Sequence, residues 1–375
     1  MRLAVLSAIS RRTPPLGYGP WEQIAYNTAQ GMRRRGHDVT LFATADSQFD
    51  GRLASVVPTG LTEDPALDGE IYGALHVAEL WRRADEFDLI HNHLDWKPML
   101  YGLGRSTPPL LTTIHGFSSP TILAAYYACA QRSFFCSISD ADRDPGLFYL
   151  TTAYNGIDPS QFTFSAKPGE YLVFLGRFHP EKGAHLAIEI AKRAGVRLKI
   201  AAIPQDEEYF AREVLPHVDG DRVQFLGHVE REQRNELLSN ALGLVHMTTR
   251  PERFGLTMIE AMACGTPVLG ARMGSIPEIV VDGVTGILCD TPAEASAAVS
   301  RLSSLDRSAC RARVEAEFTI ERMVDRYCVA YERALELRLP PPPSAEELRW
   351  RAHDFWDRPM AFTDIPPKPA HVTQD

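Results

Sequence analysis

The sequence predicts an α/β fold made of two doubly wound, Rossmann-like units facing a central cleft. Three observations carry this. Short apolar runs of strand length alternate with helical stretches along most of the chain, the order expected of parallel sheets with crossover helices. The chain is 375 residues long, more than one hydrophobic core comfortably serves, so two domains are the natural division. The alternation also stops and restarts around Ser165 to Gly169, an aperiodic stretch carrying Pro168 and Gly169. The expected division is therefore 1–165, 166–339 and a proline-rich tail, 340–375.

In the first unit, Leu3 to Ile9 is apolar almost throughout, as a strand buried on both faces should be. A loop containing Gly17 and Gly19 follows, then a helix from Trp21 to Gly36 and a strand from Val39 to Ala43. This is a βαβ unit with its ligand crevice at the strand's carboxyl end, which makes Gly17 and Gly19 candidate ligand-loop residues. Residues 44 to 70 read as irregular. A helix around Ile71 to Asp85 leads into Phe87 to Trp96, where His91, His93 and Asp95 alternate on one side of a strand end. That HxHxD spacing occurs in zinc hydrolases, but no downstream His and Asp complete such a site, so the residues are read as lining a crevice. Leu110 to Ile114 ends at His115 and Gly116, which leaves the imidazole facing a cleft. Ser133 to Ile138 and Thr151 to Tyr154 close the layer.

In the second unit, strands are expected at Tyr171 to Leu175, Arg197 to Ala202, Val223 to Leu226, Leu242 to His246, Val268 to Gly270 and Gly286 to Cys289. The first of these runs into Gly176, Arg177 and Lys182 before a helix from Ala184 to Ala194. Strand, glycine, two cations and a helix start are what a diphosphate requires, and the alternative is two solvated cations on a loop. Further helices are expected over Glu207 to Leu215, Arg231 to Asn240, Pro292 to Leu302, Asp306 to Glu317 and Thr319 to Leu339. In the tail, Trp350, Phe355 and Trp356 lie on a short helical pattern beyond the break at Pro340 to Pro343.

The most informative stretch is Thr249 to Gly274. Glu252 belongs to a loop, and Glu260 opens EAMA in the first turns of a helix, since Ala, Met and Glu are good helix formers. Gly255 lets a ligand approach the backbone, and the amides that follow lack internal partners, so this end suits phosphate. Taken alone, the two glutamates read equally well as an acidic helix start favoured by the dipole.

Composition narrows the classes of function. With 48 acidic against 39 basic residues, a formal charge of −9 argues against a nucleic-acid partner. The cluster Arg33 to Arg35 reads as dipole-complementing surface, with a weak peripheral contact to an anionic membrane as the alternative. Six cysteines without a CxxC pair fit reduced thiols. Met1 to Ile9 is too short for a signal peptide, and no stretch approaches the roughly 18 apolar residues of a membrane span. A cytoplasmic location is expected.

Two Rossmann-like halves, the first glycine loop, and the stretches GRFHPEKG, PERFGLTMIEAMACGTPVLG and GSIPEIVVDGVTGIL together resemble the retaining glycosyltransferases of family 4, with the GT-B fold, over about residues 1 to 335. The resemblance implies a hexosyl transfer from a nucleotide-diphosphate sugar, UDP- or GDP-linked, with neither metal nor cofactor. It implies Arg177 and Lys182 on the donor diphosphate, Glu252 on the transferred sugar and His115 facing that sugar. Amides from Gly255, Leu256 and Thr257 would meet the distal phosphate, Phe254 would belong to the same donor-binding segment, and Glu260 would meet the ribose. Gly17 and Gly19 would close over the same end, with Gly227 and Val229 bordering the base. Asp95 and Trp96 stand as the acceptor-side candidates, for a small-molecule, lipid-linked or glycan acceptor. The sequence departs from the family at Gly19-Pro20, where a further glycine is common, and at Ala202. Two other readings compatible with this fold are a catalytically silent binding subunit and a nucleotide-sugar epimerase, the latter disfavoured by the paired glutamates.

Overall fold

The computed structural model describes residues 1–105, 108–117 and 120–337. The proline break and the tail aromatics Trp350, Phe355 and Trp356 lie outside the described residues.

The first lobe is a parallel sheet of β1 (Arg2–Leu6), β2 (Asp38–Phe42), β3 (Arg52–Ala54), β4 (Leu89–Asn92), β5 (Leu110–Ile114), β6 (Phe134–Ser137) and β7 (Tyr149–Thr152), in the order β3-β2-β1-β4-β5-β6-β7. β1 stops at Leu6, short of the expected Ile9, and Ala8 and Ile9 are buried in the loop that follows. β3 lies in a region expected to be irregular. Its three residues pair in parallel with Thr40 to Phe42, too short a run to leave a periodic trace in the sequence.

Helices cover both faces of this sheet. The helix Pro20–Arg34 starts on a proline, whose missing N–H costs nothing in a first turn, and buries Ile24, Ala25, Ala29 and Met32. Of the arginines that close it, Arg35 is bound to Asp325 at 2.5 Å. On the other face, the helix Gly69–Arg82 is capped by Asp68, which accepts from the amides of Glu70 and Ile71, and it buries Val77, Leu80 and Trp81.

The second lobe is also wholly parallel: β8 (Tyr171–Phe178), β9 (Arg197–Pro204), β10 (Val223–Phe225), β11 (Gly243–His246), β12 (Val268–Ala271) and β13 (Gly286–Cys289), in the order β10-β9-β8-β11-β12-β13. The helix Ala184–Ala194 forms as expected. The expected helix from Glu207 instead makes one α turn, widens to a π turn over Phe210–Val214 and ends in a tight turn at Leu215–His217. Pro216 sits where the ladder would need another N–H.

The last helix, Ile320–Leu337, returns to the first lobe. Met323, Val324, Tyr327, Ala330, Tyr331 and Ala334 enter the core formed by β1, β2 and the helix Pro20–Arg34. The expected boundary at 339 groups this helix with the second unit, whereas its packing belongs to the first. Burying its four larger side chains contributes roughly 8 kcal/mol as an upper figure, enough to hold the return as part of the fold. No helix among the described residues is long and apolar enough to cross a membrane.

Candidate active site

Each sheet reverses strand order once, at β1|β4 in the first lobe and at β8|β11 in the second. Ligand crevices in open parallel sheets lie outside the carboxyl ends of the strands at such points. A cavity of about 640 Å³ occupies the space between them. Tyr18 reaches it from the loop after β1 and Trp21 from the start of the helix Pro20–Arg34, His115 from the end of β5, Arg177 from the end of β8 and Lys182 from the loop that follows, Thr248 and Glu252 to Gly255 from the loop after β11, and Leu256 and Thr257 from the helix start beyond it. A second cavity of about 460 Å³ near Pro180 is lined by Asp206, Glu208 and Glu213 against Arg212, the wrong sign for a diphosphate.

The most closely bonded group in the cleft is a three-membered one. Lys182 Nζ donates to both oxygens of Glu252, at 2.9 and 2.7 Å, and His246 Nε2 lies 2.9 Å from Oε2. The Glu252 side chain is 7% exposed and that of Lys182 is 27% exposed, so the carboxylate is sealed while the ammonium still borders the cavity. Burial alone would push the Glu252 carboxyl up, but the hydrogen bond and charge of His246 and the charge of Lys182 outweigh it and hold the group well below the usual carboxylate range.

Gly183 makes the placement of Lys182 possible. It caps the helix Ala184–Ala194 at φ +73°, and a Cβ there would stand 1.9 Å from the Met247 carbonyl oxygen. The loops after β8 and β11 thereby touch, and Thr249 N donates to Glu181 O at 3.0 Å. Arg177 is anchored on Gln205 and lies 5.9 Å over the Tyr18 ring, so one cation of the second lobe meets an aromatic of the first.

The helix Leu256–Ala263 starts at Gly255, with φ +85°, and its first residues border the cavity. Thr257 Oγ1, Thr248 Oγ1 and Asn155 Oδ1 are buried there without a hydrogen-bond partner, three polar oxygens whose capacity the fold leaves unused. Phe254 lines the cavity but is 2% exposed and packs on Tyr154 and Phe318, which makes it the anchor of the loop.

His115 stacks on Trp21, with ring centroids 5.5 Å apart, and its Nε2 is 3.0 Å from His93 Nδ1. Burial lowers it to about 3, so it is a neutral imidazole at working pH.

Several expected residues stand elsewhere. Glu260 does not line this cavity; its Oε1 is 3.4 Å from Arg234 Nη1, and burial raises its carboxyl against the pull of Arg234 and Arg231. Gly17, Gly19, Gly227 and Val229 are also off the cavity wall, although the space at Gly17 is 3.9 Å from His228 Nε2, so the loops at 17 and 228 face each other. Asp95 and Trp96 do not reach the cleft. Asp95 takes φ +77° and accepts from Tyr126 OH, while Trp96 packs against the core on the far face of the first sheet. His91 has both ring nitrogens occupied, by Tyr331 OH at 2.7 Å and Thr113 Oγ1 at 2.8 Å. No group of three or more His, Cys, Asp or Glu among the described residues could hold a metal ion.

Two contributors escaped sequence reasoning. His246 ends an apolar run as His115 does, a signal that could have been followed. Arg253 spans the cleft, donating to the Phe117 carbonyl and lying 3.7 Å from Asp142, and nothing in its neighbours announces that reach. The lobes also meet where Glu278 accepts from the amides of Asp140 and Ala141, at 2.9 and 2.7 Å, and from Tyr154 OH at 2.9 Å.

Comparison with known proteins points the same way. A family model described as Glycosyl transferases group 1 matches residues 159–316, and one described as Glycosyltransferase Family 4 matches residues 22–143. A D-inositol 3-phosphate glycosyltransferase of Mycobacteroides abscessus is 34% identical over 415 aligned positions, covering 92% of each chain. A glycogen synthase of Mycobacterium tuberculosis is 29% identical over 259 positions and 60% of this chain, which spans 62% of that relative's length. Anabaena Alr3699/HepE, solved in complex with UDP, superposes with a TM-score of 0.68 over 89% of this chain and 100% of its own, at 21% identity, a likeness of fold.

Proposed function

Because the chain belongs to glycosyltransferase family 4, the glycosyl transferases group 1, we propose that it moves a hexosyl group from a UDP- or GDP-linked sugar to a hydroxyl-bearing acceptor, with retention and without a bound metal. The single observation that supports this most is the Lys182 ammonium, braced on Glu252 beside the start of the helix Leu256–Ala263 and bordering the same cavity as Arg177. Cleavage of the bond between sugar and diphosphate leaves its electron pair on a phosphate oxygen. Two cations and a helix start aimed at that oxygen stabilise the charge as it develops. Arg177 and Lys182 hold the diphosphate in this reading, the amides of Leu256 and Thr257 meet its distal phosphate, and Glu252 and His115 orient the sugar.

The acceptor hydroxyl bonds to the anomeric carbon on the face the diphosphate leaves, and its proton passes to the departing phosphate oxygen. No enzymic nucleophile is required. Glu260 faces the nucleoside end, where it shares Arg234 with the ribose hydroxyls. The acceptor enters from the first lobe, past Trp21 and Tyr18, and a small molecule, a lipid-linked sugar or a glycan all supply the necessary hydroxyl. The neighbour solved with UDP supports a nucleotide-sugar donor.

The test is a melting-point screen of UDP-, GDP- and ADP-sugars, followed by transfer assays with and without EDTA and NMR of the product's anomeric centre. A donor at about 100 times its Kd adds roughly 2.7 kcal/mol of stability. Absence of any stabilising nucleotide sugar would refute the reading, and an inverted product or loss of turnover in EDTA would refute its finer parts.

A further inference from the structure

His91 in β4 and His93 just past its carboxyl end have no place in the chemistry above, yet both are wholly buried directly behind the cavity. His93 Nδ1 lies 3.0 Å from His115 Nε2, and the His93 ring lies 4.1 Å from that of His91 between centroids. His91 is fixed in turn by Tyr331 OH and Thr113 Oγ1, and Thr113 Oγ1 donates to Tyr327 OH at 3.2 Å. The rear of the site is therefore pinned by the helix Ile320–Leu337. The remaining nitrogen, His93 Nε2, is buried and has no partner.

From this geometry we propose that His93 is a positioning residue that sets the tautomer of His115, so that His115 offers an Nδ1–H donor to a hydroxyl oxygen of the bound sugar. A 3.0 Å contact between two imidazole nitrogens requires one donor and one acceptor. If His115 donated from Nε2, His93 would carry its own proton on Nε2, a buried N–H with nothing to receive it. If His93 donates from Nδ1, its Nε2 keeps only a lone pair. Orphaned buried N–H groups are the rarer of the two cases. The second arrangement is therefore favoured, and it places the His115 proton on Nδ1. That nitrogen has no partner among the described residues and is not among the sealed atoms, on a ring that lines the cavity. Trp21, stacked on the ring, prevents it from turning over.

His115 is then a donor to the sugar, and it does not serve as the base that takes the acceptor's proton. This rests on reading the cleft as the sugar-donor site, but its first test does not. Nitrogen NMR of protein labelled with ¹⁵N-histidine distinguishes a protonated from a bare ring nitrogen, with the His115 signal assigned from a His115→Gln sample. In the unliganded wild type the proton should be on Nδ1; finding it on Nε2 overturns the inference whatever the substrate is. His93→Asn retains a donor close to the Nδ1 position and should keep that tautomer, whereas His93→Leu should release it to the Nε2–H form or to an exchanging mixture.

The second test uses kinetics and binding. His93→Leu should raise KM for the nucleotide sugar about tenfold, the worth of one hydrogen bond, and leave the affinity for the free nucleotide diphosphate unchanged. His93→Asn should restore KM. Equal losses for sugar-bearing and sugar-free nucleotides overturn the hydroxyl contact. The expected tautomers in a protein that binds no nucleotide sugar leave the histidine pair standing and remove the donor-site reading instead.

Discussion

Replacing Lys182 by alanine separates what the ammonium does for the fold from what it does for the reaction. Glu252 receives two hydrogen bonds from Lys182, one from His246 and a longer one of 3.2 Å from the Arg253 amide. Removing one partner of a buried ion pair costs roughly 3–5 kcal/mol. Here His246 remains and Lys182 is 27% exposed, so a loss of about 2 kcal/mol in unfolding free energy is expected. The effect on turnover has a different origin. A fixed donor aimed at developing charge is worth roughly 3–4 kcal/mol, or about 10² to 10³ in kcat. Adding Glu252→Gln should then recover most of the lost stability, because no buried charge is left unpaired, while turnover stays low. The assays are urea unfolding and initial rates with a saturating nucleotide sugar on the two single variants and the double variant. If the double variant regained turnover with stability, or if Lys182→Ala kept kcat within about threefold, far short of the effect expected of such a donor, the ammonium would be structural and the reasoning wrong.

Glu260→Ala should weaken UDP or GDP binding by about tenfold, the scale of one hydrogen bond lost to a charged group; unchanged calorimetric affinity would leave Glu260 as the partner of Arg234 alone. Acid should destabilise the protein well before its carboxylates titrate. His76, His91 and His115 are lowered by burial to about 4, 3 and 3, and His93 lies well below its ordinary value of 6.5. Their folded values lie below the unfolded one, so stability is fully present above pH 6.5 and is lost as pH falls toward the folded values. Each group then loses about 1.4 kcal/mol per pH unit. Urea unfolding at pH 7.5 and 5.5 should differ by roughly 5 kcal/mol for the four together, and a difference under about 1 kcal/mol, less than a single such group supplies, would contradict the buried neutral set. Arg253→Ala removes the reach to Phe117 and should broaden the distance distribution in small-angle scattering toward open forms with little change in melting point; an unaltered profile would show that the remaining contacts, those of Glu278 and Arg177 among them, hold the lobes without it.

Much of this was legible because a buried parallel strand writes itself as an uninterrupted apolar run, and its carboxyl end is where polar residues resume. Arg177, Lys182, Glu252 and His115 each follow such a run, and the cavity gathers them. What the sequence left open has physical reasons. Periodicity in the helix Ile320–Leu337 shows that one face is buried but not against what, so its return to the first lobe was invisible. Asp95 sits at the carboxyl end of β4 as a crevice residue should, yet a positive φ turns it back to Tyr126. Glu260 is three residues on from Thr257, and a helix carries its side chain past the cavity toward Arg234.

The charge balance of the cleft explains why a carboxylate stands beside a site meant for an anion. An ammonium has three donors, and Glu252 engages two of them with its two oxygens. The third is left for the cavity, so Lys182 can meet a phosphate without surrendering its brace. Arg177 is arranged by the same logic, with one nitrogen on Gln205 and its guanidinium over Tyr18. A free lysine in solution would have to give up rotamer freedom and hydration to reach the leaving group. In this protein folding has already imposed that order, through a buried glutamate whose own ionisation depends on His246 and Lys182. The carboxylate lowers the net positive charge of the site but fixes where the remaining charge points, and for a bond whose cleavage places charge on one oxygen, direction counts for more than total.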